Sequence, residues 1–306
     1  MIRSSPPTHC LNASVYDLNS RIETAAGCLG LAADVKVTKS GPARKQSKVF
    51  GEVAEIYHRV RPGYPESLYD WVLETSEVNV DQLLIDVGCG TGKASVSFLE
   101  RGFEVLGIEP DPLMARVAIR ELTSTGTFSL HQSTLDEFTG RSSQAGLIYA
   151  GQSWHWMNPD TRFKCVASLL RPEGWLCVFW NRPEQTQQSF DQEMDAVYDE
   201  LVPQFNNTRF KVRLPGSKSV ISGDSPKDEF EQSALFGHVH TFEEPWEQTI
   251  STDEHVQNLL TQSDHRMLEE DLRSEVLQRV ARVIDASGGS YQQLFTTHAY
   301  AAKLSV

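Results

Sequence analysis

Three glycines on alternate positions, Gly88, Gly90 and Gly92, follow directly on the short apolar run Leu83–Val87, and the next apolar run, Val105–Ile108, ends in an acid, Glu109. Glycine accepts positive φ and carries no Cβ, so its concentration at the end of a strand marks a tight turn whose backbone must come close to something. The flanking sequence repeats one alternation. Lys93–Arg101 reads as a helix closed by Gly102. Asp111 and Pro112 read as the N-cap and first position of the next helix, with Met114, Val117 and Ala118 on one face. Phe128–Leu130, Leu147–Ala150 and Trp175–Trp180 are further short strands, Thr161–Leu170 is a helix, and "RPEG" is a turn. Short apolar strands alternating with helices predict an α/β fold with a doubly wound, mostly parallel sheet covered on both faces.

Outside this alternation the signals thin out. "SKVFGEVAEIYHRVRPGYPESLYDWVLE" reads as helix, turn, helix, broken by Pro62, Gly63 and Pro65. After about residue 184, Phe190, Met194, Val197, Tyr198 and Leu201 sit at helical spacing. Val239–Ile250 holds a strand with polar interruptions. Leu268, Leu272, Val276, Val280 and Val283 mark a long amphipathic helix ended by Gly288 and Gly289, and Phe295–Leu304 is a last strand, the seventh. Residues 1–46 carry Ser, Pro and Lys without a sustained apolar period and are expected to be a disordered leader. Residues 47–306 are expected to be one domain, with its core at about 80–184 and insertions and last strands at about 185–304.

Charge and cysteine usage narrow the partners. Lys and Arg total 28 against 41 Asp and Glu, a net charge of −13, which repels phosphate backbones and anionic lipid surfaces. Neither nucleic acid nor a membrane is an expected partner. Five scattered cysteines form no CxxC pair, so neither a disulfide framework nor a metal site is indicated, and a reducing compartment, the cytoplasm, is expected. No apolar stretch approaches the about 18 residues that cross a bilayer. The segment "AAGCLGLAA" has the length of a signal core, but Arg21 and Glu23 precede it and it is mostly Ala and Gly. The sequence does not indicate an oligomeric state.

The glycine loop also restricts the ligand. N–H groups of such a loop and of the helix after it attract carboxylate or phosphate. A dinucleotide fingerprint needs glycine at position 93, where Lys93 stands, so a nicotinamide-dependent oxidoreductase is the weakest reading. The pattern is DxGxGxG, from Asp86 to Gly92. An acid ahead of the glycines suits an ammonium, and Glu109, about 20 residues on, suits the hydroxyls of a ribose.

These residues resemble the class I S-adenosylmethionine-dependent methyltransferases. "LLIDVGCGTG" and "VLGIEPDPLM" look like the first two motifs of that family. "AEIYHRVRPGYP", "GLIYAGQSWHWMNP" and "LLRPEGWLCVFWN" are similar to the subgroup of trans-aconitate methyltransferase-like proteins, over about residues 48–304. The resemblance implies a Rossmann-like seven-stranded fold with a helical lid, and S-adenosyl-L-methionine as cofactor. It implies that Asp86, Gly88 and Gly90 hold the methionine end, Glu109 the ribose, and Asp111, Met114, Thr134 and Leu135 the adenine, with Cys89, Gly92 and Gln152 also at the cofactor. Tyr57 and Arg61 fall in the lid, where Arg61 can pair with the cofactor carboxylate. Many relatives have an acid where Gly146 stands, which leaves positioning at the fourth strand open.

The implied activity is methylation of a small molecule, as O-methylation of a carboxylate or hydroxyl. A methyltransferase-fold protein that binds the cofactor without transfer, a cyclase-type enzyme or a binding partner, is the alternative. "QSWHW" leaves the fourth strand where an acceptor should lie. Trp154 and His155, with Tyr57, are the candidate catalytic groups, His155 as base or as hydrogen-bond donor. Packing of Trp154 and Trp156 beneath the lid is the competing reading. Tyr64, Asn181 and Arg182 border the same region. Trp71, Trp175 and Trp246 are expected in the core, and "EMDAVYDE" on a solvated helix face.

Overall fold

Apolar runs too short for helices pair side by side. In the computed structural model, which describes residues 54–140, 143–184, 188–207 and 226–305, seven strands form one sheet of order β3-β2-β1-β4-β5-β7-β6. The expected leader lies outside the described residues. β1 (Leu83–Val87), β2 (Val105–Ile108), β3 (Phe128–His131), β4 (Ala145–Gly151) and β5 (Leu170–Pro183) run parallel. β7 (Ser290–Leu304) enters antiparallel between β5 and β6 (Phe236–Ser251). Every residue of β1 and β2 is buried, as expected of strands covered on both faces, whose sequence reads as a continuous apolar run. β6 is an edge strand, and Pro245 is tolerated in it because an edge leaves some N–H positions without a ladder partner.

Helices cover both faces: α1 (Ala54–Val60), α2 (Glu66–Ser76), α3 (Val96–Glu100), α4 (Pro112–Leu122), α5 (Arg162–Leu169) and, before β6, α7 (Pro226–Ser233). One apolar cluster joins Ile85, Ile148, Val178, Trp154, Phe163 and Phe230, and the other joins Leu84, Leu147, Phe98, Phe179, Leu68 and Tyr69. Neighbouring residues of β1 and β4 thus feed opposite layers, the alternation of a pleated strand. α4 begins as its sequence predicts: Oδ1 of Asp111 accepts from the backbone N–H groups of Leu113 and Met114, at 2.8 and 3.1 Å, and Pro112 follows.

Several boundaries differ from expectation. The helix expected from Lys93 is regular only from Val96, because residues 92–95 turn tightly: the Ser95 N–H bonds to the Gly92 carbonyl at 3.0 Å. "RPEG" is extruded from β5. Leu170 pairs with Ala145 and Trp175 with Leu147, so residues 171–174 loop out, with Glu173 at φ 62°. Gly146 sits where a Cβ would lie 2.6 Å from Oε1 of Gln82 and 2.9 Å from Cγ2 of Val78. An acidic side chain has no room there, and β4 pairs on both sides without one. Trp71, Trp175 and Trp246 are half-buried rather than core. They lie along the sheet, Trp71 against Phe242 and Trp246 stacked on Phe295 at 4.8 Å.

The later part of the chain builds a helical cap. β6 runs in the same sense as β5, so residues 188–207, after β5, and 252–286, between β6 and β7, both stand at the carboxyl edge of the sheet. There α6 (Gln188–Leu201) with the turn after it, α8 (Thr252–Leu260) and, beyond the short α9 (Ser263–Arg266), α10 (Glu270–Ala286) share an apolar cluster of Phe190, Met194, Val197, Phe205, Leu259, Val276, Val280 and Ile284. Gly288 and Gly289, at φ 106° and 79°, end α10.

Candidate functional site

Strand order reverses between β1 and β4, and the crevice outside the carboxyl ends of such strands is where doubly wound sheets bind ligands. The glycine loop lies there. Gly88, Gly90 and Gly92 have φ of 67°, 57° and 85°, a region L-residues avoid. Each glycine has a different reason. A Cβ on Gly88 would sit 2.7 Å from Cβ of Ser153, and one on Gly92 would overlap the side chain of Leu122. A Cβ on Gly90 would meet nothing within 4 Å. Gly88 and Gly92 close packing; Gly90 faces open space. The loop is pinned to β2 by the N–H groups of Gly88 and Cys89, both bonded to the Ile108 carbonyl, at 2.8 and 3.2 Å. Cys89 is buried, and a Cβ on Gly107 would be 2.8 Å from its Sγ. Burial, with Asp86 and Glu109 nearby, pushes its thiol well up, so the side chain packs as a neutral group.

Two buried acids underlie the loop. Glu109 accepts from the Gly90 N–H through Oε2 and from the Asp111 N–H through Oε1, each at 2.8 Å. Burial pushes its pKa up to about 7, against those two bonds. Each oxygen keeps a second lone pair, so the carboxylate can still accept a pair of hydroxyls. Asp86 is 1% exposed. Its Oδ2 accepts from Oγ of Ser95 at 2.7 Å, while Oδ1 is buried with no partner. Burial raises this acid also to about 7, opposed by the Ser95 bond and assisted by Glu109. An orphaned carboxylate oxygen is complementary to an ammonium. Among the described residues no group of His, Cys, Asp or Glu could hold a metal.

The other residues expected at a nucleoside lie on the β2 side of the crevice. Asp111 spends Oδ1 on capping α4. Met114 and Leu135 are buried, Met114 packed with Ala54, Val117 and Tyr57. Oγ1 of Thr134 donates to Glu137 at 2.9 Å.

On the other side, β4 ends in a bend. Gln152 has φ 58°, and its side-chain amide donates to the Asn181 carbonyl at 3.1 Å; such left-handed non-glycine residues gather at functional turns. Oγ of Ser153 donates to the Val87 carbonyl at 2.6 Å, tying β4 to β1 under the glycine loop. Trp154 lies within an apolar cluster of the sheet, edge-on to Phe163 at 5.1 Å and beneath the Arg162 guanidinium at 4.9 Å. Its indole therefore packs, and His155 and Trp156 are the exposed members of "QSWHW". Nδ1 of His155 accepts from Nε1–H of Trp180 at 3.5 Å.

The lid is tied down from two sides. The Arg61 guanidinium lies 5.1 Å over the Tyr57 ring, and its Nε donates to Oγ1 of Thr261, just past α8, at 3.1 Å. Nδ2 of Asn181 donates to the Gly63 carbonyl at 2.7 Å, and its Oδ1 accepts from Thr297 at 2.7 Å, which in turn accepts from Nε1–H of Trp246 at 2.8 Å. Tyr64 stands edge-on to Phe179 at 4.8 Å, with its hydroxyl over Gly151. Burial pushes that phenol well up. Sequence reasoning missed Ser95, Tyr149, Ser153, Thr261 and Thr297, each of which acts on a residue remote in the chain.

Residues 85–178, which include the strands bearing the glycine loop and the acid pair, match the family model described as a methyltransferase domain. An uncharacterized methyltransferase of Mycobacterium tuberculosis is 32% identical over 142 residues, 46% of this chain and 56% of that protein. A Saccharomyces cerevisiae protein assigned as an S-adenosylmethionine-dependent methyltransferase is 27% identical over 146 residues, 46% of this chain and 50% of its own. The chain thus spans about half the length of these curated relatives. Among solved structures, a protein of Anaeromyxobacter dehalogenans assigned as a type II methyltransferase superposes with a TM-score of 0.54 at 18% identity, covering 79% of this chain and 97% of that one. The phosphoethanolamine N-methyltransferase 2 of Haemonchus contortus, in complex with phosphomonomethylethanolamine and S-adenosylhomocysteine, does so at 0.50 and 11% identity, covering 89% and 61%. These two likenesses show the α/β methyltransferase fold.

Proposed function

We propose that this protein is an S-adenosylmethionine-dependent methyltransferase acting on a small molecule. One observation carries the reading: the glycine loop is joined to two buried acids, Glu109 bonded to the N–H of the open Gly90, and Asp86, which precedes the loop on β1 with one oxygen unpartnered. Asp86 then receives the amino group, Glu109 the ribose hydroxyls and the loop N–H groups the carboxylate, with Arg61 adding charge from the lid. Met114 and Leu135 supply apolar walls for the adenine. The cofactor, when bound, supplies an electrophilic methyl on a sulfonium. The protein supplies alignment and exclusion of water.

The acceptor enters from the side where β4 and β5 end. His155, Trp156, Tyr57, Tyr64 and Asn181 border that side, beneath the cap. Exposed aromatic faces favour a positive sulfonium and hold planar or apolar acceptors. In-line displacement requires an acceptor lone pair. A carboxylate provides one without a base, and a hydroxyl needs a proton acceptor, for which His155 is the nearest candidate. O-Methylation of a carboxylate or hydroxyl is the reaction this supports. A net charge of −13 disfavours nucleic acid as the acceptor. The test is a panel of small acids and phenols incubated with methyl-labelled S-adenosylmethionine. Label transfer with release of S-adenosylhomocysteine supports the reading. Tight cofactor binding without transfer to any acceptor favours the cofactor-binding alternative.

A further inference from the structure

Asp86 is held in place by a chain of two hydroxyls. Oγ of Ser95 lies 2.7 Å from Oδ2 of Asp86 and 2.9 Å from the Tyr149 hydroxyl, and all three side chains are buried. Their protons have one consistent arrangement when Asp86 is ionised. A carboxylate only accepts, so Ser95 donates to it. Ser95 has then spent its single proton and must accept from Tyr149. Burial pushes the Tyr149 phenol well above its usual range, so it keeps the proton it donates. The chain comes from three separate places: the end of β1, the tight turn before α3, and the middle of β4.

We propose that Tyr149 and Ser95 are positioning residues which fix Asp86 through Oδ2 and so reserve Oδ1 for the ammonium of an amino-acid-bearing nucleoside. This deepens the reading of the site above and rests on it. A donor on one oxygen stabilises the carboxylate in a fixed rotamer, and hydrogen bonds in series strengthen one another. The groups that face Asp86 are Glu109 from β2, the phenols of Tyr64, Tyr69 and Tyr149, and the thiol of Cys89. Glu109 is the only carboxylate among them. Without the chain, Asp86 keeps its burial and its repulsion from Glu109 and loses the bonds that favour its charge.

The experiment titrates full-length wild type, Tyr149→Phe and Ser95→Ala with S-adenosylhomocysteine and with 5′-methylthioadenosine, which has the nucleoside and thioether but no amino acid. The chain predicts about tenfold weaker S-adenosylhomocysteine binding in Ser95→Ala, the worth of one hydrogen bond to a charged group, and about fivefold weaker binding in Tyr149→Phe, the worth of one between neutral groups, with methylthioadenosine affinity within about twofold of wild type. It also predicts that the pH midpoint for S-adenosylhomocysteine binding moves upward in both variants. Equal losses for the two ligands would show that the hydroxyls merely support the loop and would overturn the proposal. So would unchanged affinity for both. Tyr149→Phe removes one oxygen and keeps the ring against Phe98, so it decides the matter if Ser95→Ala fails to fold. Wild type that binds neither ligand would instead overturn the function proposed above.

Discussion

Alanine at Gly90 and at Gly88 should fail in opposite ways. Both residues have left-handed φ, where an L-residue costs about 1–2 kcal/mol. At Gly88 the new methyl also meets Ser153, whose Cβ would be 2.7 Å away and whose hydroxyl is fixed on Val87. Overpacking of that kind adds about 1–3 kcal/mol, so Gly88→Ala should lose about 2–5 kcal/mol and much of its soluble yield. At Gly90 the methyl enters open space, so only the backbone term applies. A melting temperature about 5 °C lower follows for a domain of this size. Ligand binding separates the two further. The open space over Gly90 is the proposed place of the methionine end of the cofactor, and a methyl in a filled contact costs about 1–3 kcal/mol, or about 5- to 150-fold in Kd. Thermal melting with and without S-adenosylhomocysteine reads both quantities. Gly90→Ala should melt about 5 °C below wild type and show little or no ligand-induced rise. A Gly90→Ala protein that binds S-adenosylhomocysteine as tightly as wild type would refute the placement.

Three further outcomes follow from the same geometry. The folded-state pKa of Asp86 is raised to about 7, so the acid is largely protonated below that pH, and S-adenosylhomocysteine affinity should fall between pH 7 and 5 by up to about tenfold per unit for this group; calorimetry in that window should give a shallower profile for Asp86→Asn, in which Glu109, also raised to about 7, still titrates, and an equally steep one would assign the whole titration to other groups. Asn181→Ala removes the bond to the Gly63 carbonyl and strands Thr297, costing about 1–3 kcal/mol; it should raise proteolytic cleavage near residues 61–65 and weaken cofactor binding, and an unchanged cleavage pattern would show that the lid does not depend on it. Burial lowers His255 and His265 to about 4, so their contribution to stability is whole above pH about 6.5 and is lost as pH falls toward 4; urea midpoints should drop across that range, less so in His265→Asn, and an identical drop in that variant would clear His265 of the effect.

The parts legible in the sequence share one property: their signals are local. β1 and β2 are buried on both faces and read as apolar runs; Asp111 and Pro112 announce α4; Gly288 and Gly289 announce the end of α10. The glycine loop and Glu109 were readable because only the short α3 and β2 separate them. The cap was not. Its helices lie at 188–207 and 252–286, and what joins them is packing across the gap, with no spacing to betray it. Ser95, Tyr149 and Asn181 look like ordinary polar residues until the fold brings Tyr149 to Ser95, 54 positions away, and Asn181 to Gly63, 118 positions away. Trp154 shows the same limit in reverse. An aromatic at the end of β4 can face the crevice or the layer beneath, and the bend at Gln152 sends it below while leaving His155 and Trp156 outside.

The most direct test of the account is a calorimetric titration of the full-length chain with S-adenosylhomocysteine, beside Glu109→Ala. The account predicts one saturable site per chain in the wild type and a loss of about 10-fold or more in the variant, since truncation removes a charged hydrogen-bonding partner of the ribose. Absence of binding at millimolar ligand, or equal binding by the variant, would contradict it.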